Sequence, residues 1–181
     1  MSSAPEPRSS GTSAALRVAA GAPVPPDVAE RLRVGGRALE LDCGGGLGCL
    51  ALAEAFPAAR VVGHDRDPAA IARARELART SGLDARVTFA LSGATRLERA
   101  GFDLAAARAV AGRDDALQIL NTLRNALVPD GVCLLVEPHA GPARARDAHG
   151  HQLAALAQRA GFLRCELACR EPDLDVYELR R

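Results

Sequence analysis

At 181 residues and 48 % hydrophobic content, with a formal net charge of +1, the chain suits one domain with its own core and has no bulk attraction for nucleic acid or an anionic membrane. Aromatic residues make up 3 % and tryptophan is missing, which argues against a base-stacking surface for single strands. No uninterrupted apolar run approaches the ~20 residues of a membrane span.

Met1–Ser13 is rich in serine and proline, carries no apolar core of a signal peptide, and reads as a disordered tail. Residues 14–37 read as a short helical segment. Ala14–Ala20 forms one short helix, Pro23, Pro25 and Pro26 interrupt it, Asp27 caps a second over Val28–Val34, and Gly35-Gly36 stops that one. From residue 38 strands and helices alternate to the end of the chain. Strand Ala38–Leu41 leads to helix Leu47–Ala55, and strand Arg60–Gly63 to helix Pro68–Ser81, which Gly82 ends. Strand Arg86–Ala90 is followed by a loop, and strand Phe102–Ala106 by helix Asp114–Leu127. The turn Pro129-Asp130-Gly131 feeds strand Val132–Glu137, the most apolar in the chain. Pro138–Gly150 reads as a polar linker before helix His151–Ala160, and strands Phe162–Ala168 and Val176–Leu179 close the chain as a hairpin. Alternation of this kind implies parallel pairing with right-handed crossovers. The fold class is α/β: a Rossmann-like three-layer α/β/α sandwich over residues 38–181, with a mostly parallel seven-stranded sheet whose last strand is antiparallel.

Chemistry concentrates at Glu40-Leu41-Asp42-Cys43-Gly44-Gly45-Gly46-Leu47-Gly48. A strand carrying an acid runs into a glycine turn and then a helix. Glycines let the backbone turn sharply and approach a ligand closely, and the helix start turns its unpaired amides toward the same place. A second acid, Asp65, ends the next strand about 20 residues on, where a carboxylate can accept both ribose hydroxyls of an adenosine. Asp67 fits the cap of the helix starting at Pro68. The nicotinamide pattern G-x-G-x-x-G is met poorly, because Cys49 stands at its last position. The pattern acid-x-Gly-x-Gly-x-Gly is met by Glu40, Gly44 and Gly46, with Asp42 at the first glycine.

Taken with Val61–Asp65, Phe102-Asp103-Leu104 and Leu127–Gly131, this stretch resembles the successive motifs of class I S-adenosylmethionine-dependent methyltransferases. Val28–Leu32, Leu52–Pro57, Ala160-Gly161-Phe162 and Val176–Arg180 are similar to the bacterial winged-helix-linked subgroup, whose N-terminal domain needs more than the residues before Ala38. The resemblance implies S-adenosylmethionine as cofactor, held around Glu40, Asp42, Cys43, Gly44, Gly45, Gly46, Asp65, Arg66, Gly93 and Ala94. It also implies methyl transfer to a small-molecule acceptor. The adenine-binding acid of the family falls near Ser92-Gly93-Ala94, where this chain has Gly93.

Methyl transfer from a sulfonium needs alignment more than acid–base machinery. Where a base is needed, His139 follows the fifth strand of the alternating unit at the carboxyl edge and is the catalytic candidate. His64 precedes Asp65 as a pocket neighbour. His149 and His151 flank a helix start without the carboxylate or cysteine spacing of a metal site. Arg73, Arg75 and Arg79 read with Glu76 as a solvated helix face. The five cysteines, an odd number without a Cys-x-x-Cys pair, suit a reducing cytoplasm, and Cys133 reads as core.

Asp42 divides the reading. Against a cofactor carboxylate about 4 Å away it would cost ~4 kcal/mol at an effective dielectric of 20, whereas beside an ammonium or sulfonium the sign reverses. A catalytically degenerate binding or assembly partner is therefore the alternative function. A nicotinamide-dependent oxidoreductase is third, disfavoured because the chain has no lysine for a Tyr-x-x-x-Lys pair.

Overall fold

The computed structural model describes residues 17–18, 22–91, 101–138, 143–171 and 173–181. Two short strands, β1 (Arg17–Val18) and β2 (Ala22–Pro23), pair antiparallel. The helix expected over Ala14–Ala20 is therefore corrected where it is described. A short helix has few bonds to offset its nucleation cost, and at Arg17–Val18 strand pairing takes its place. The tail expected at Met1–Ser13 lies outside the described residues.

The sheet runs β5 (Val87–Leu91), β4 (Arg60–Asp65), β3 (Arg37–Leu41), β6 (Phe102–Arg108), β7 (Leu127–Pro138), β9 (Leu174–Arg180), β8 (Arg164–Arg170). Strands β5 through β7 pair parallel, and β9 inserts antiparallel between β7 and β8. The expected sandwich with an antiparallel last strand is the one observed. Helices α1 (Pro26–Arg33), α2 (Leu47–Ala55) and α3 (Pro68–Thr80) cover one face. Helices α4 (Ala116–Ala126) and α5 (Ala143–Arg159) cover the other. Along β7, Val132, Leu134 and Val136 join the first core and Cys133 and Leu135 the second, so a strand buried on both faces reads as one continuous apolar run.

Three sequence readings shift. Helix α1 starts at Pro26, with Pro25 at its cap position and no side-chain cap bond. Proline at the first helical position lacks only an N–H that would be unpaired anyway. Asp27 instead accepts from Arg180 at 2.9 and 3.1 Å and ties α1 to β9. The linker expected over Pro138–Gly150 is helical from Ala143, because alanine and arginine are strong helix formers. Gly150 is tolerated inside α5 because the Tyr177 ring packs there; a Cβ would lie 2.7 Å from its Oη. The Pro129-Asp130-Gly131 turn survives as an irregularity inside β7, between the pairs Phe102–Leu127 and Leu104–Val132.

Other features fall as read. Asp67 caps α3 by accepting from the Ala69 amide at 2.8 Å, and Cys133 is fully buried. On α3, Arg79 pairs with Glu76 on an exposed face, while Arg75 also donates to the Phe89 carbonyl on β5. Among the described residues no helix is long and apolar enough to cross a membrane.

Gly63 in β4 is the tightest point beneath the glycine turn. A Cβ there would meet the Phe89 ring at 2.6 Å and the Cys43 Sγ at 2.8 Å. Gly63→Ala is expected to destabilise the fold by about 1–3 kcal/mol through overpacking. Phe89→Leu in the same chain should recover part of that loss, as read by urea denaturation.

Candidate functional site

The strand order reverses between β3 and β6: the chain adds β4 and β5 on one side of β3, then returns to build β6, β7 and the hairpin on the other. Loops leaving β3 and β6 therefore diverge, and the crevice between them is where open α/β sheets take ligands. The glycine turn sits at this point. Asp42, Gly44 and Gly46 have φ of 53°, 54° and 79°. Aspartate is among the few residues that visit this left-handed region readily, so Asp42 fits a backbone that suits glycine. Gly46 is the N-cap of α2 and offers no side-chain cap. A Cβ at Gly46 would lie 2.6 Å from the Phe89 ring, whereas Gly44 and Gly45 have nothing within 4 Å of that position. The turn is packed from below and accessible from above.

Asp65, at the tip of β4, holds this turn. Its Oδ2 accepts from the Gly44 amide at 2.7 Å and its Oδ1 from the Asp67 amide at 2.9 Å. A carboxylate has about four lone-pair positions, so each oxygen keeps capacity for a further donor. The backbone adds a second tie, Cys43 N–H to the His64 carbonyl at 3.0 Å. His64 is half buried, and that burial holds its imidazole below the ordinary range.

Glu40 lies under the turn and is only 6 % exposed. The Cys49 thiol donates to its Oε2 at 3.1 Å. Burial, opposed by that bond and by the charge of Arg108, pushes the Glu40 carboxyl up to about 7. Contact with Cys43 and then burial hold the Cys49 thiol well above its usual value. Cys43 itself is buried against the turn.

A chain of alternating charge crosses the carboxyl edge. Asp42 pairs with the Arg113 guanidinium. Arg113 also grips Asp115 with two bonds, Nε to Oδ1 at 2.8 Å and the other amino group to Oδ2 at 3.1 Å. Arg66 donates to the same Oδ2 at 2.6 Å. The guanidinium of Arg113, then that of Arg66, draws the Asp115 carboxyl down to about 2. The structure thus brings Asp42 and Arg66 into one network through Arg113 and Asp115, which carried no sequence pattern of their own.

A second cluster lies at the tip of β7. Glu137 is 2 % exposed and accepts from the Val110 and Ala111 amides at 2.8 and 3.3 Å through Oε1. Its Oε2 faces His149 Nε2 at 3.1 Å. Both His149 and His151 lie within α5. His139, Gly93 and Ala94 lie outside the described residues. An open groove lined by Leu117, Gln118, Asn121 and Thr122 runs along the outer side of α4, and Asp115 links it to the crevice.

A family model described as a methyltransferase domain matches residues 32–168. The chain belongs to this methyltransferase-domain family. No curated protein matches it. Among solved structures it is similar to the S-adenosylmethionine-dependent methyltransferase SibL in its apo form, at TM-score 0.70 and 24 % identity over 86 % of this chain and 52 % of SibL. It is similar to NcsB1, an O-methyltransferase from neocarzinostatin biosynthesis solved with S-adenosylmethionine and 2-hydroxy-5-methyl naphthoic acid, at 0.66 and 21 % over 82 % of this chain and 50 % of that one. The [4+2]-cyclase SpnF matches at 0.66 and 21 %, over 84 % and 77 %. The chain spans about half the length of the first solved structures it matches. Family and fold together support S-adenosylmethionine as the cofactor of this methyltransferase domain. The turn fits it: an uncapped helix start, two glycines open to a ligand, and a strand-tip carboxylate with lone pairs to spare.

The buried acid has a measurable consequence. Its folded value near 7 lies above the ordinary 4.5, so the folded state holds a proton that the unfolded chain releases. The associated stability is complete below about pH 4.5 and is lost as pH rises through about 7. The difference is expected to reach about 3 kcal/mol. Urea unfolding at pH 5 and pH 8 should show this decline in the native sequence and not in Glu40→Gln.

Proposed function

We propose that the chain is an S-adenosylmethionine-dependent methyltransferase acting on a small-molecule acceptor. The observation that carries this reading is the glycine turn held by Asp65 at the strand-order reversal, with Gly44 and Gly45 open above it. Asp65 would take the ribose hydroxyls, and the amides of Gly44–Gly46 and the start of α2 would line the rest. When bound, the cofactor supplies a methyl group already activated on a sulfonium. The remaining task is to orient the acceptor and, for a hydroxyl or ammonium, to take its proton. His139 is one group for that proton, by its place after β7. His149 is the other: Glu137 fixes its Nε2 and so selects the tautomer whose Nδ1 can accept. The sequence stretches similar to the winged-helix-linked subgroup support that affiliation, and thiols without a pairing pattern support a reducing, cytoplasmic setting.

A second reading keeps the fold without turnover, serving binding or assembly. It is favoured by Asp42, whose side chain stands where the family's loop has glycine and is engaged across the crevice by Arg113.

Calorimetric titration with S-adenosylhomocysteine tests the first reading; no heat at high protein concentration overturns it. Asp65→Ala is expected to weaken that binding at least tenfold, since hydrogen bonds to a charged group contribute about 1.5–3 kcal/mol each.

A further inference from the structure

The cofactor reading leaves open what Asp42 is for. Two features of the structure bear on it. First, Asp42 and Arg113 leave from the two loops that flank the crevice, one after β3 and one after β6, and meet across it. Both side chains are partly exposed, at 32 % and 27 %, so a solute can reach each. Second, Arg113 is not mobile in the manner of a surface arginine. Asp115 holds its Nε and one amino group, Arg66 holds Asp115 in turn, and only the other amino group faces Asp42. Arg113 is thus a fixed cation with one side directed into the crevice.

With Asp65 on the ribose and the adenine on the β5 side, as the resemblance implies, the amino-acid end would lie over the glycine turn on the β6 side. That end is a zwitterion, one ammonium and one carboxylate on the same carbon.

We infer that Asp42 and Arg113 form a counter-charged couple that recognises this zwitterion, Asp42 taking the ammonium and Arg113 the carboxylate. The inference rests on the cofactor reading above. Each member satisfies the other until the ligand replaces one ion pair with two. A guanidinium presents a planar fork suited to a carboxylate, and Arg113, already anchored by Asp115, loses little freedom on binding. Asp42 does not repel the ligand carboxylate, because Arg113 stands between them in charge. The couple also discriminates: a ligand with the nucleoside but no amino-acid end leaves it unexchanged, and a des-amino analogue that draws Arg113 to its carboxylate offers Asp42 no ammonium in return.

Calorimetry with two defined probes tests this, S-adenosylhomocysteine and 5′-methylthioadenosine, which lacks the amino-acid end. The native chain is expected to bind the first at least tenfold more tightly. Asp42→Asn and Arg113→Gln should each remove about tenfold or more of that preference while leaving methylthioadenosine affinity within about twofold. Retained methylthioadenosine binding also certifies that each variant is folded. Unchanged preference in both variants overturns the inference. So does Asp42→Gly raising the affinity of both probes together, the signature of a blocking strap. Failure of every form to bind either probe overturns the cofactor reading itself and the inference with it.

Discussion

The hydrogen bond from the Gly44 amide to Asp65 organises the rest of the carboxyl edge. It joins the tips of two parallel strands, β3 and β4, whose own ladder ends at the pair Leu41–His64. Beyond that point one backbone bond follows, from the Cys43 N–H to the His64 carbonyl at 3.0 Å. Asp65 adds a side-chain tie by accepting from Gly44 on one oxygen and from Asp67 on the other. The same carboxylate therefore sets the glycine turn and the start of α3. Phe89 completes the support from β5, its ring lying where side chains at Gly46 and Gly63 would otherwise be. The turn is thus supported by a charge-assisted bond beside it and an aromatic ring beneath it, while Gly44 and Gly45 stay accessible.

Charge at this edge is arranged in alternation. Acids on the β3 and β6 loops would repel one another in a half-dry crevice, and two arginines interleave with them: Asp42, Arg113, Asp115, Arg66. Exposed ion pairs of this kind contribute little to stability, typically about 0–1 kcal/mol each. Their value is geometric, because Arg113 links the loop after β3 to the loop after β6 across the reversal in strand order. At the opposite edge the pairs Asp27–Arg180 and Arg31–Asp103 do the comparable task for α1, anchoring it to β9 and β6. The amino edge is closed by a helix and the carboxyl edge by a charge couple that a zwitterion can enter.

Much of the fold was legible because its signals are local. The run Val132–Val136 reads as a doubly buried strand without any partner in view, and Asp67-Pro68 reads as a helix start because cap and proline act within one turn. The glycine turn was legible for the same reason, its left-handed positions Asp42, Gly44 and Gly46 lying close together in sequence; the bond from Gly44 to Asp65 was not. What escaped was set by distant residues. Arg113 has no pattern that marks it, and its role appears only when β6 lies beside β3. Glu137 reads as the end of an apolar strand, and only folding brings the Val110 and Ala111 amides and His149 to it. The start of α5 was hidden by composition: Ala143–Gly150 is polar and ends in glycine, and only folding shows the Tyr177 ring occupying the space that a side chain at Gly150 would need. At Arg17–Val18 the expected helix gives way to a strand paired with Ala22–Pro23, a partner that local propensity does not reveal.

Glu40 and Asp65 show how one residue type serves two purposes at neighbouring strand tips. Asp65 accepts two backbone amides at the surface of the crevice, so its charge is met by fixed donors and its oxygens can still take more. Glu40 is buried beneath α2 with a thiol as its close donor, and desolvation opposes its ionisation. A thiol is a weak donor and cannot replace the water that Glu40 gave up. The price is a carboxyl that stays half protonated near neutral pH, directly under the turn that is proposed to receive a cation. A proton held there makes the environment neutral, and its release makes it anionic. A cationic ligand bound above the turn would favour the anionic form, which would link its binding to deprotonation of Glu40. The acid that reads in sequence as a motif position thus sits in the fold as a buried carboxyl whose ionisation burial opposes.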